Sequence, residues 1–191
     1  MKGVVGIDEA GRGALAGPVV IAAVSLHKEI DGLMDSKQLS PKRRDALYEE
    51  IIQTASCRLS IIGHRGILKR NILGATLYGM KRAMLKLPQS KDFPVYIDGN
   101  KRPPGIPDNY RVEVMVKADQ KVPAVSAASI VAKVVRDRLM MKYDRIYPNY
   151  AFARHKGYGT ALHYDRLFEN GPCPIHRRGF QLGRQGTLFD V

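Results

Sequence analysis

The chain has 191 residues, 45% of them hydrophobic, which is enough to build one well-cored unit of ordinary soluble composition. Lys and Arg number 31 against 18 Asp and Glu, a formal charge of +13, and such an excess points to a polyanionic partner, nucleic acid first. Two well-separated cysteines exclude a disulfide framework and a thiolate zinc site; with no leader-like start and no apolar run long enough to span a membrane, they predict a cytoplasmic protein.

The first stretch, "GVVGIDEAGRGALAGPVV", predicts a strand over residues 3–8 and a second over 18–26, joined as an antiparallel hairpin with a long loop. Asp8 and Glu9 sit side by side at the end of the first strand. Adjacent strand residues point to opposite faces, so a purely structural strand has little use for two carboxylates at its mouth. Gly11, Arg12 and Gly13 follow. Glycine lets backbone approach a ligand, and amides here could meet a sugar hydroxyl or a phosphate. The segment "GRGALAG" does not match the dinucleotide fingerprint, and there is no Walker sequence, which disfavours a nucleotide-dependent enzyme.

Ser40 and Pro41 open a helix over "PKRRDALYEEIIQTAS", and "CRLSIIGH" predicts a third strand. Residues 67–87 read as a helix with Ile72, Leu73, Leu77, Met80, Met84 and Leu87 on one stripe, the methionines as core filler. "FPVYIDGN" predicts a short buried strand ending on Asp98, and "YRVEVMVKAD" another ending on Asp119. A helix from about Pro123 to Tyr147 places Ser126, Ser129, Lys133 and Arg136 on one polar face suited to a phosphate backbone. A solvated basic face explains the same pattern. Ala128, Ala132, Val135 and Leu139 form the opposite, core-facing side. Residues 148–170 read as a loop with a further helix, in which Tyr158 lies between glycines and could stack on a sugar or base. His155 and His163 lack the spacing of a helical zinc pair. From Gly171 onward Pro, Gly and Arg dominate, predicting an extended C-terminal arm.

Strands in a meander followed by strands alternating with helices predict an α/β fold: a mixed sheet flanked by helices, with a helical C-terminal region. Three strand ends then supply Asp8 with Glu9, Asp98 and Asp119. One aspartate at a strand end is ordinarily a turn residue or a cap. Four carboxylates gathered together repel one another and make sense only with hard cations such as Mg2+ or Mn2+. Two such ions can hold the attacking water and the leaving oxygen of a phosphodiester, so a polyanion-binding protein with this set is a candidate nuclease.

The motifs "GIDEAGRG", "DSKQLS" (35–40), "YIDGN" (96–100), "KAD" (117–119), "SAASIVAKVVRDR" and "HKGYGT" occur in order along nearly the whole chain, which resembles bacterial ribonuclease HII. The resemblance implies a ribonuclease H-like fold spanning residues 1–191 as a single unit, with 171–191 an arm and tail. It implies that Asp8, Glu9, Asp98 and Asp119 are a catalytic, two-metal-binding tetrad. Gly11, Arg12 and Gly13 would recognise the ribose 2′-hydroxyl at an RNA to DNA junction, and Tyr158 would pack on the sugar at its deoxy side. Lys37, Ser126, Ser129 and Lys133 match positions near the bound strand. The implied reaction is hydrolysis 5′ to a ribonucleotide in RNA/DNA hybrids or in duplex DNA, leaving 3′-hydroxyl and 5′-phosphate ends, in ribonucleotide removal and primer processing. A monomer is expected, and the sister ribonuclease HIII pattern, which lacks G-R-G here and carries an N-terminal domain, fits less well. In the tail, Gln185, Leu188 and Phe189 fit the Q-x-x-L-F pattern of peptides that dock on the bacterial sliding clamp. The rival is a noncatalytic nucleic-acid binding module in which the acids are turn residues.

Overall fold

A computed structural model describes residues 3–33, 36, 39–180 and 182. Strand β1 (Val5–Ala10) forms an antiparallel hairpin with β2 (Val19–Leu26), register Val5 to Ser25 and Asp8 to Ala22, as the valine-rich runs on either side of the glycine turn predict. Helix α1 (Pro41–Thr54) starts with Pro41 inside its first turn, and the Ser40 hydroxyl accepts from the Arg43 amide at 3.3 Å. Strand β3 (Ala55–Ile62) returns antiparallel to β2.

Helix α2 (His64–Leu85) begins three residues earlier than its apolar stripe predicts and is broken at Asn71, whose φ of 54° and ψ of 173° lie outside the helical region. The Asn71 side-chain oxygen accepts from the Gly74 amide at 2.9 Å, so the second half restarts on its own asparagine cap. A short helix α3 (Gln89–Asp92) leads into β4 (Val95–Asp98), which runs parallel to β1, and β5 (Val112–Met115) runs parallel to β4. Helix α4 (Pro123–Ile146), short α5 (Phe152–His155) and α6 (Ala161–Asn170) follow.

Among the described residues the sheet has five strands in the order β3-β2-β1-β4-β5. Its pleat divides the core. Val5, Ile7, Val19, Ile21 and Ala23 pack with Met80 and Met84 of α2 and with Leu87; Ala10, Val20, Ala22 and Val24 face α1 and α4. The predicted methionine filler is therefore core. At Gly6 an added Cβ would lie 2.1 Å from the Ala124 backbone, so only glycine lets α4 cross β1 this closely. That contact carries the α4 serines to the mouth of β1.

Candidate active site

Strand β1 is central in the sheet, and β4 lies parallel beside it in the register Ile7 to Ile97. The next residues on the two strands are Asp8 and Asp98, so parallel pairing puts two carboxylates together at one sheet edge. Asp8 is buried on the α4 side of the pleat, 6% exposed, and its Oδ1 accepts from the Glu9 amide at 2.6 Å. Burial, then the charges of Glu9 and Asp98, hold the Asp8 carboxyl well above the usual carboxylate range, offset in part by the Glu9 amide and the Ser129 hydroxyl. Glu9 meets Arg12 Nη1 at 3.3 Å. Asp98 Oδ1 accepts from the Ala118 amide at 2.8 Å, which ties β4 to the turn after β5.

Strand β5 ends at Met115, four residues before the predicted end at Asp119. Lys117 takes a left-handed conformation (φ 58°) and breaks the strand, and Asp119 sits in a 3-10 turn, Ala118–Gln120. Its side chain is 7% exposed and its carbonyl accepts from the Ser126 hydroxyl at 2.5 Å.

The carboxylates open into a cleft of about 420 Å³ lined by Asp8, Glu9, Asp98, Gly11 to Gly13, Ser36, Ser129, Lys133 and Tyr158. Asp119 lies beside this lining rather than in it, and among the described residues no three His, Cys, Asp or Glu side chains are gathered as closely as the ligands of one ion. The chemistry of the three lining acids nonetheless fits a hard divalent cation: all donors are carboxylate oxygens, and a cation would reverse the repulsion that raises Asp8. A depression of about 480 Å³ elsewhere, lined by His64, Arg65, Cys173 and Arg178 among others, contains no carboxylate.

Of the predicted binding residues, Gly11, Arg12, Gly13, Ser129, Lys133 and Tyr158 meet in the cleft; Ser126 is buried beneath it. Lys133 pairs with Asp137 at 2.8 Å, and Tyr158 lies under Lys133 and Arg136, 5.5 and 4.8 Å from its ring centre. Lys37, Gln185, Leu188 and Phe189 lie outside the described residues. Ser36 enters unpredicted, its Oγ 2.8 Å from that of Ser129. Arg136 leaves the polar face on which its spacing puts it: it is 0% exposed and donates to the carbonyls of Pro18, Ala16 and Lys156 at 3.1, 3.3 and 2.9 Å. His155 and His163 are buried against protein groups, His155 on the Tyr150 carbonyl at 2.7 Å and His163 on His176 at 3.0 Å.

The family model described as Ribonuclease HII matches residues 5–182. A ribonuclease HII from Coxiella burnetii is 49% identical, covering 97% of this chain and 92% of its own. One from Thermotoga maritima is 48% identical over 93% of this chain and 73% of its own. Among solved structures, the ribonuclease H2 of Pyrococcus horikoshii superposes with a TM-score of 0.78 at 28% identity, covering 95% of each chain. The ribonuclease HII of Archaeoglobus fulgidus, solved in complex with PCNA, superposes at 0.76 with 28% identity over 92% of each.

Proposed function

The chain belongs to the ribonuclease HII family, ribonuclease H endonucleases, and from that premise we propose that it cuts the phosphodiester 5′ to a ribonucleotide in RNA/DNA hybrids and in duplex DNA, leaving 3′-hydroxyl and 5′-phosphate ends. The observation that carries the reading is the meeting of Asp8 and Asp98 at the ends of parallel neighbours, beside Glu9 and the Gly11 to Gly13 turn. Asp8, Glu9 and Asp98, with Asp119 from the adjoining turn, would hold Mg2+ or Mn2+. Such ions, when bound, activate water and stabilise charge on the leaving oxygen.

The protein's own groups supply the rest. Gly11 and Gly13, on either side of Arg12, carry no side chain, so backbone there can reach the ribose 2′-hydroxyl, which has both a donor and an acceptor to offer. Tyr158, held under Lys133 and Arg136, would pack its ring on the neighbouring deoxyribose. Ser129 and Lys133 project from α4 into the same cleft and would position phosphates, with Ser126 supporting the Asp119 turn beneath and Lys37 as a further contact. The A. fulgidus relative's complex with PCNA supports a sliding-clamp partner here, which Gln185, Leu188 and Phe189 would engage. The action expected is that of a cytoplasmic monomer.

The deciding experiment offers labelled DNA duplex with one ribonucleotide, and an all-DNA control, to the protein in Mg2+ or in chelator. Metal-dependent cutting immediately 5′ to the ribonucleotide, lost in Asp8→Asn, is expected. Tight binding without cutting in either Mg2+ or Mn2+ would instead establish a noncatalytic module.

A further inference from the structure

Two arginines, Arg136 and Arg177, are among the largest fully buried side chains of the protein, each 0% exposed. No carboxylate is bonded to either guanidinium among the described residues; the hydrogen bonds of Arg136 Nε and Nη2 and of all three Arg177 nitrogens go to backbone carbonyls. Arg177 Nη2 meets the Gly11 carbonyl at 2.7 Å, Nη1 the Arg12 carbonyl at 2.9 Å and Nε the Gly17 carbonyl at 2.9 Å. A guanidinium is rigid and planar, so three bonds from one group fix three carbonyls relative to one another.

Those carbonyls belong to the turn that walls the cleft. A trans peptide is planar, with its C=O and N–H pointing in opposite directions, and the described residues have no cis peptide. Anchoring the Gly11 carbonyl on Arg177 therefore turns the Arg12 amide away from it, and anchoring the Arg12 carbonyl does the same to the Gly13 amide. Among the described residues no acceptor is bonded to either amide. Two consecutive free amides aimed one way make a concave donor pair for an oxygen ligand. Around Gly13 the space is open: an added Cβ would meet nothing within 4 Å.

The rest of the C-terminal segment holds the strut in place. The Arg177 amide donates to the Leu15 carbonyl at 2.9 Å, the Gly17 amide to the Ile175 carbonyl at 2.9 Å, and Ala16 bridges His176. Residues 175–177 thus lie along the turn like an extra strand, more than 150 residues away in sequence.

We propose that Arg177 is a positioning residue for ribonucleotide recognition, holding the Arg12 and Gly13 amides toward the cleft so that they read the 2′-hydroxyl. The inference deepens the proposed function and rests on it. Arg177 touches no substrate itself. Lysine in its place supplies a point charge that can meet one carbonyl at a time, which frees at least one of the two peptides to rotate.

The test measures binding, in chelator, of a duplex with one ribonucleotide and of the same duplex as all DNA. Wild type prefers the ribonucleotide, while Arg177→Lys and Arg177→Gln lose about tenfold of that preference, with all-DNA affinity within about twofold because phosphates supply it. A folding defect lowers the active fraction for both duplexes and leaves the ratio unchanged, so the ratio separates positioning from mere stability. A preference kept at the wild-type value in both variants overturns the assignment. No preference in wild type overturns the hydroxyl-reading proposal as well, so the two failures are distinct. Should neither variant fold, 15N-labelled wild type carries the test: the Arg12 and Gly13 amide resonances shift with the ribonucleotide duplex and not with all-DNA, and unshifted amides overturn the inference.

Discussion

The two walls of the cleft are held in place by different means. The acidic wall is set by strand register: Asp8 and Asp98 are neighbours because β1 and β4 are parallel neighbours, and the Ala118 amide donates to Asp98. The glycine wall has no sheet beneath it. Its shape comes from Arg136 and Arg177, which reach it across 118 to 166 residues of sequence. The acidic wall is a by-product of the fold that burial makes unfavourable, whereas the glycine wall is a scaffold whose removal should disturb recognition before chemistry.

The largest effect expected on the acidic wall is Asp8→Asn, which should abolish cutting. The folded-state pKa of Asp8 lies above its unfolded value, so its ionised form opposes folding, and its cost grows as pH rises through that window. Asn should therefore raise the melting temperature in metal-free buffer at neutral pH. Divalent ions should raise the wild-type value and leave the variant unmoved. A variant that melts lower than wild type in chelator would show that the acidic wall carries no stored repulsion.

The same wall depends on how close α4 lies. Gly6→Ala should cost about 3 kcal/mol, because the new methyl meets backbone, which cannot rotate away. Chemical denaturation would show it as a shifted midpoint at unchanged slope.

The glycine wall is sharpened by its own two glycines. At Gly11 φ is 96° and an added Cβ would lie 1.9 Å from Arg136 Nε, so Gly11→Ala should cost about 2 kcal/mol through strain and displacement of the Arg136 side chain. Gly13 has open space and no positive φ, so Gly13→Ala should stay within about 0.5 kcal/mol of wild-type stability while weakening ribonucleotide binding. Equal thermal losses in the two variants would break the distinction between a glycine needed by the fold and one needed by a ligand.

The acidic wall was largely legible in the sequence and the glycine wall only half so. Short apolar runs ending on Asp8 and Asp98 mark the two strands: β4 ends on Asp98 as expected, while β1 runs two residues past the predicted end, to Ala10. The strand expected to reach Asp119 stops at Met115 because Lys117 turns left-handed, which a lysine does not announce. The break in α2 falls at Asn71, directly before the apolar stripe that begins at Ile72, where no glycine or proline marks it. Helical spacing puts Arg136 with Ser126, Ser129 and Lys133 but does not say which of them is buried. Arg177 stands among Pro, Gly and Arg residues that look like an arm, and its partners are main-chain carbonyls, which every residue possesses and no letter marks.

The smallest effect concerns acid. Behind the glycine wall, the backbone amide of Cys173 donates to His176 Nδ1 at 2.9 Å, which requires a lone pair there and puts the ring proton on Nε2. That proton points at His163 Nε2, 3.0 Å away, so His163 carries its own proton on Nδ1 and donates to the Tyr158 carbonyl at 3.0 Å. His155 is fixed in the same sense, its Nδ1 accepting from the Gly157 amide at 3.1 Å and its Nε2 facing the Tyr150 carbonyl at 2.7 Å. All three rings are neutral, and a second proton on His163 or His176 would set two donors against each other. Burial pushes both down to about 4. With folded values below the unfolded 6.5, their stabilisation is fully present above pH 6.5 and is lost as pH falls toward 4. The melting temperature should fall by a few degrees over that window, and replacing His163 and His176 together by Gln should flatten the slope while lowering the plateau. Asp8 works in the opposite direction as it takes up its proton, so the slope in an Asp8→Asn background should be steeper, not shallower. An unchanged slope there would mean that acid reaches both walls through some group other than these.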